Sequence, residues 1–331
     1  MRRMATTLQL PVEGELPSLA GATAWLNSEP LTPQSLRGRP VLVQFWTFTC
    51  INWLRTLPYV RTWFEKYRGD GLVVLGVHTP EFEVEHDIDN VRRAAEELRV
   101  GYPIAVDSDY RVWRAFDNEY WPAQYFVDAD GQIRFHRFGE GEYTYSENVI
   151  QLLLAAAGVE HVSREVAPVA GRGIEAPADW EHLRSPETYV GYLRATNFSS
   201  PGGATHDRPH DYALPDALRL NHWALAGDWT IGRQAVVLDA PDGRIVHRFH
   251  ARDLHLVMAP APNAESAHFR VLLDGEPPGA DHGDDVDERG EGTVTEPRLY
   301  QLIRQRGRVV ERTFEIAFPA PEVQAYVFTF G

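Results

Sequence analysis

Cysteine occurs once in the 331 residues, at Cys50. A chain with one cysteine forms no internal disulfide and no multi-cysteine zinc site. Lysine also occurs once, at Lys66, so basic charge is almost all arginine, which we read as codon preference. Basic residues number 32 against 47 acidic ones, a formal net charge of −15. That balance argues against a nucleic-acid binder, because phosphate needs a basic stripe. Apolar runs of about 18 residues are missing, so no transmembrane helix is expected. The N-terminus, "MRRMATTLQLPVEGELPSL", starts with two arginines but has no apolar h-region behind them. These absences predict a cytoplasmic chain, with the periplasm as the alternative if a leader or membrane domain precedes it. The histidines show no metal spacing: His78 and His86 lack a third ligand, and His206, His210 and His222 are scattered. Internal repeats are absent too.

What is present is the composition of a globular protein, 44% apolar and 24% charged. The length predicts two domains. We expect an α/β domain over residues 1–163, a linker at 164–184 rich in Pro, Gly and Ala, and an all-β domain at 185–331. In the first part, "PVLVQFWT" and "GLVVLGVH" read as buried strands. Residues 51–67 have helical spacing with Pro58 inside, where a kink is expected. Residues 84–99 read as an amphipathic helix and "DYRVWRAF" as a short one. "WPAQYFVDADGQIRFHRFG" reads as a hairpin turning at Asp130-Gly131. "SENVIQLLLAAAG" reads as a helix capped by Ser146 and stopped by Gly158. The order β-α-β-α-β-β-α is that of an α/β layer fold. Beyond residue 185, short alternating runs such as "RIVHRFHA", "DLHLVMAP", "RTFEIAF" and "QAYVFTFG" predict a β-sandwich of jelly-roll type.

Cys50 stands between the strand "VLVQFW" and the helix "INWLRTLPYV". A thiolate is favoured at a helix N-terminus, so this placement suits a reactive sulfur better than an inert buried one. The position three residues on, where a partner thiol would stand, is Trp53.

The stretch "LRGRPVLVQFWTFTC", Pro58, and the pair Trp121-Pro122 before "AQYFVD" resemble the thioredoxin fold in its TlpA/ResA-like branch. The resemblance is closer to the soluble C-terminal part of DipZ-type thiol–disulfide proteins. It is carried by Cys50-Ile51-Asn52-Trp53, Arg55, Leu57 and Pro58, "GVHTPEF", "NEYWPAQYFVDADG", "FGEGEY", "SPETYVGYLRA", "GDWTIGRQ", "RLYQLIRQ" and "AYVFTFG", over about residues 20–331. It implies a thioredoxin-fold domain followed by a carbohydrate-binding-module-like sandwich. It also implies a cis-proline at Pro122 that shapes a groove where a substrate chain lies against Cys50. Trp53 replaces the resolving cysteine of the family's Cys-Ile-Asn-Cys pattern.

Four readings follow. In the first, Cys50 forms mixed disulfides that an external thiol resolves. In the second, Cys50 attacks peroxide and passes through sulfenic acid, with Thr47 three residues before it but Val43 where a proline would complete the peroxiredoxin pattern. In the third, the fold is a redox-inactive binding module with Trp53 lining the old groove. In the fourth, the β domain carries the main role by binding a glycan or protein. The partners implied are protein or low-molecular-weight thiols and disulfides, and no metal or organic cofactor is called for.

Around the site, Glu81 is a candidate general base. Trp46, Asn52, Trp53, Arg55, Phe82 and Trp121 are candidate groove residues, though Trp46 suits plain packing and Arg55 suits an exposed helix face. Glu140 and Glu142 in "GEGEY" are weaker candidates for the same groove. For the β domain, Trp180, Trp223 and Trp229 are candidate sugar platforms. Residues 285–296, "DVDERGEGTVTE", fit a calcium-loop template at Asp285, Asp287, Gly290 and Glu296. They place Arg289 where an oxygen ligand belongs, so a solvated acidic loop is the better reading.

Overall fold

The run Val41–Trp46 is apolar except for Gln44, and all six residues are buried, as a strand covered on both faces must be. In a computed structural model, which describes residues 10–262 and 264–331, this strand is central to the first of two compact units. The first unit ends at Ala176, and the second spans Pro177–Gly331.

The first unit runs β1 (Gly14–Glu15), β2 (Ala24–Leu26), α1 (Pro33–Leu36), β3 (Val41–Trp46), α2 (Ile51–Tyr67), β4 (Val73–His78), α3 (Ile88–Glu97), β5 (Ile104–Val106), α4 (Arg111–Ala115), β6 (Ala123–Val127), β7 (Gln132–Phe138) and α5 (Tyr143–Ala156). Its seven-stranded sheet has the order β1-β7-β6-β3-β4-β5-β2. β3 and β4 are parallel and joined through α2, the crossover that parallel neighbours require. β6 lies antiparallel to β3, and β7 antiparallel to β6. This mixed sheet with its crossover helices is thioredoxin-like.

Local differences from the sequence reading have local causes. α2 continues through Pro58. α5 begins at Tyr143, with Glu142 in the left-handed region as its cap, so Ser146 is an interior, buried helix residue and not the N-cap. The amphipathic segment from 84 splits into a short turn at Glu83–Glu85 and α3, because Asp87 caps the helix anew by accepting from Asp89 N at 2.9 Å. Part of the Pro- and Gly-rich segment is anchored: Ala167 N donates to Glu147 at 3.0 Å, and Arg61 grips Glu175 at 2.6 and 2.8 Å.

The second unit is all-antiparallel in its ladders, with β8 (Thr188–Tyr189), β9 (His210–Tyr212), β10 (Trp223–Ile231), β11 (Val236–Leu238), β12 (Gly243–Phe249), β13 (Asp253–Pro260), β14 (Ala267–Leu273), β15 (Glu291–Val294), β16 (Arg298–Arg304), β17 (Arg312–Phe318) and β18 (Val323–Phe330). They form one continuous sheet, which curls as a half-barrel. β10 makes the corner: Trp223–Ala226 pair with β12, whereas residues from Gly227 onward pair with β9 and β11. Gly227 sits there at φ 89°, a conformation that disfavours a side chain. The inward faces close on a single core that includes Trp223, Trp229, Phe249, Phe314 and Phe328. Trp223 and Trp229 are therefore core residues and not sugar platforms, while Trp180 is 63% exposed. In the acidic loop, Asp285 accepts from Arg298 at 2.6 Å and Asp287 from the backbone N–H of Arg289 and Glu291 at 2.9 Å. Those carboxylates are spent on the turn.

Candidate active site around Cys50

The turn between β3 and α2 places Cys50 at the N-cap, with extended backbone (φ −75°, ψ 112°). Its side chain makes no cap hydrogen bond, so the thiol is not consumed in closing the helix. Its carbonyl accepts Leu54 N at 3.0 Å and starts the helical ladder. The first-turn N–H groups of a seventeen-residue helix thus lie beside the sulfur. Cys50 is 9% exposed, at the margin of the surface. Its Sγ lies 3.7 Å from the carbonyl oxygen of Trp121, which accepts from the thiol.

The Trp121–Pro122 peptide is cis, as the resemblance implied. Pro122 is buried, and its carbonyl accepts Gly139 N at 2.8 Å. Trp121 is half-buried: its indole N–H donates to Thr79 O at 3.0 Å and its ring packs 4.2 Å from Trp113. Cys50, Trp121 and Pro122, read from segments 71 residues apart, meet at one point.

Trp53 points into the protein. It is fully buried and stacks on Trp46 with ring centroids 4.3 Å apart. Trp46 in turn meets the edge of His78 at 4.9 Å, and His78 stacks on Phe48 at 5.8 Å. The indole nitrogens of Trp46 and Trp53 and both ring nitrogens of His78 find no protein partner. Burial pushes the His78 pKa down to about 3, so the ring is neutral. Trp46, Trp53 and Phe82, candidates for the groove on sequence, are all interior. Asn52 is half-buried and its carbonyl accepts from Thr56 Oγ1 at 2.8 Å.

Arg55 departs from the exposed helix face expected of it. It is 3% exposed and pairs with Glu140 at 3.1 Å. This ion pair ties α2 to the loop that leaves β7 beside Pro122. Burial raises the Glu140 pKa, and the Arg55 charge opposes that rise.

The carboxylate that sequence reading missed is Glu85. It is fully buried and accepts from Thr49 Oγ1 at 2.6 Å, Glu81 N at 2.5 Å and Phe82 N at 2.9 Å. It therefore joins the residue before Cys50 to the loop after β4. Desolvation, with help from the charge of Glu81, pushes its pKa up to about 6. Glu81 itself is half-buried on that loop. The signal available was the spacing of Glu81 and Glu85 around an apolar Phe82, which reads equally as a surface turn.

Fold and site together define a thioredoxin-like domain with one thiol at the start of its principal helix, next to a cis-proline. The comparisons agree. Residues 14–136 match the AhpC/TSA family, and residues 185–331 match the family described as Thioredoxin like C-terminal domain. Protein DipZ of Mycobacterium tuberculosis (strain CDC 1551 / Oshkosh) is 33% identical over 328 residues, 98% of this chain and 44% of that protein. Thiol-disulfide oxidoreductase YkuV of Bacillus subtilis (strain 168) is 36% identical over 140 residues, 42% of this chain and 94% of that protein. A solution structure of a thioredoxin-like protein in the oxidized form shares 36% identity, over 43% of this chain and 95% of that one, with a TM-score of 0.40. The chain belongs to the thioredoxin-like family and is a homologue of DipZ across both units. It spans less than half the length of the DipZ proteins it matches.

Proposed function

We propose that the chain is a monothiol thiol–disulfide oxidoreductase working through Cys50. The observation that carries this reading is the sulfur itself: at the N-cap of α2, 3.7 Å from the carbonyl before Pro122, in a chain with no second cysteine. The thiolate attacks one sulfur of a substrate disulfide. A new S–S bond forms to Cys50, the substrate S–S bond breaks, and the leaving thiolate takes up a proton. An external thiolate then attacks the Cys50 sulfur of the mixed disulfide and expels the second substrate thiolate, and a second external thiolate attacks the external sulfur now bonded to Cys50, expelling Cys50 as thiolate and forming the external disulfide. The substrate disulfide gains two electrons and the external thiols supply them. No metal or organic cofactor enters this sequence. Glu81 and Glu85, on the loop facing the Cys50 turn, are the groups we assign to proton handling.

The test is the pH profile of Cys50 alkylation, with Cys50→Ser as the blank, together with mass spectrometry of mixed disulfides formed from glutathione disulfide. We expect half-maximal alkylation below the pH of about 8.5 at which an ordinary thiol ionises, and an adduct that excess thiol removes. A sulfur inert to both reagents would leave only the redox-inactive binding reading. The AhpC/TSA match and the Thr47–Cys50 spacing favour a second activity, attack on peroxide. Rapid sulfenic acid formation with peroxide, and none of the disulfide adduct, would select it.

For the second unit we propose a jelly-roll-type sandwich that serves as a carbohydrate-binding-like module, supported by the curled antiparallel sheet around one core. Trp180 is the tryptophan left to stack on a sugar ring. Loss of glycan binding in Trp180→Ala is the expected result.

A further inference from the structure

Basic residues are outnumbered 32 to 47 in this chain, yet they gather at one cleft of the first unit. The cleft has a volume of about 880 Å³ and lies between the second half of α2, the turn from α3 into β5, and residues 168–175. Six charged side chains line it: Arg61, Lys66, Arg99 and Arg172 are cationic, Glu65 and Glu175 acidic. Both carboxylates are already engaged. Glu65 pairs with Arg68 at 2.9 Å, and Glu175 sits on Arg61 at 2.6 and 2.8 Å. Lys66 is taken by Glu147 at 2.8 Å. Arg99 and Arg172 are exposed and meet no carboxylate among the described residues.

The walls are held in place by Arg61. Its Nη1 donates to Leu98 O at 2.7 Å, where α3 ends, while its Nη2 grips Glu175. Arg99 follows directly after Leu98, in the turn at φ 54°. Arg172 stands between two ties, Ala167 N on Glu147 and Glu175 on Arg61. Both guanidinium groups therefore rise from anchored backbone, so a ligand meets walls that are already ordered. The rest of the lining is partly apolar, with Pro58, Phe64 and Val169. The volume is that of a small-molecule site. Two cations without counter-charge call for two negative charges on a group rich in acceptors, which a phosphate monoester supplies near neutral pH. The apolar lining calls for an apolar body on that ester. Arg61 lies well along α2 from Cys50, roughly 16 Å away at 1.5 Å per residue, so the cleft is separate from the thiol.

We propose that this cleft binds a small organic phosphate monoester, with Arg99 and Arg172 on the phosphate and the apolar body against Pro58, Phe64 and Val169. Nothing in this depends on the exchange chemistry of Cys50.

The test is calorimetric titration of the full chain at pH 7 with 1-naphthyl phosphate. Inorganic phosphate supplies the charge alone, and 1-naphthol the apolar body alone. The ester is expected to bind at least tenfold tighter than either and to weaken as salt rises. Arg99→Ala/Arg172→Ala is expected to lose at least tenfold in affinity while keeping its melting temperature, because both side chains are exposed. Arg39→Ala/Arg114→Ala removes the same charge elsewhere on the first unit and is expected to bind as the native chain does. Cys50→Ser is expected to bind the ester unchanged, whatever becomes of the redox reading. No binding of the ester at millimolar concentration overturns the proposal. So does phosphate or naphthol binding as tightly as the ester, or an equal response of the two arginine double variants.

Discussion

His78 is the residue whose chemistry is most altered by its place. Its ring is enclosed by Trp46 and Phe48 with no polar partner, and burial holds its pKa at about 3. His247 in the second unit is likewise buried and lowered to about 3, with Thr188 Oγ1 at 3.3 Å. An unfolded chain protonates these rings below about 6.5 and the folded chain does not. Stability present above pH 6.5 is therefore lost as pH falls toward 3, by about 1.4 kcal/mol per pH unit for each ring. Urea unfolding at pH 7 and pH 5 is expected to show that loss, and His78→Phe to remove about 2 kcal/mol of it. Trp53 supplies a second test. It fills the interior position three residues after the thiol, so Trp53→Cys is expected to place a second thiol against Cys50 at a cost of about 3 kcal/mol in lost packing. Oxidation should then remove two hydrogen atoms from the intact mass, reversibly; a variant that never loses them would mean the two sulfurs do not meet.

At the scale of elements, what organises the site is a set of ties from α2 and its N-terminal turn to segments distant in sequence. Arg55 reaches the loop after β7, and Thr49 reaches Glu85 on the loop after β4. Arg55→Ala leaves Glu140 buried without its cation, which typically costs about 3–5 kcal/mol. The double change Arg55→Met/Glu140→Gln is expected to recover most of that in a thermal melt, since an uncharged pair leaves no stranded charge. These ties also show why the elements were easier to read than their meeting points. The strands "VLVQFW" and "VVLGVH" declare themselves by burial on both faces, and the Asp130-Gly131 hairpin by its turn residues. Glu85 does not declare itself, because its burial comes from Thr49, 36 residues away. Tyr120 and Phe138 look like any two aromatics until β6 and β7 pair.

Across the whole molecule, each unit has its own core. The second draws on residues from Val190 to Phe330, with Phe314 fully buried among them. Phe314→Ala is expected to cost about 3–5 kcal/mol, seen as a lower unfolding midpoint, while Cys50 alkylation at 25 °C keeps its rate. A matching loss of alkylation would show that the first unit depends on the second.

The amino-acid order by itself determined the two-part organisation, the α/β and all-β characters and the single thiol at a helix start, while the proline opposite that thiol was implied by the family resemblance. Each of these is written in local periodicity, in turn residues, or in the presence or absence of one residue type. Tertiary structure alone decided which aromatics line the surface, which carboxylate is buried, where Arg55 points, and that the β strands curl as one sheet. Those outcomes depend on burial by partners far along the chain, which no short window of sequence contains.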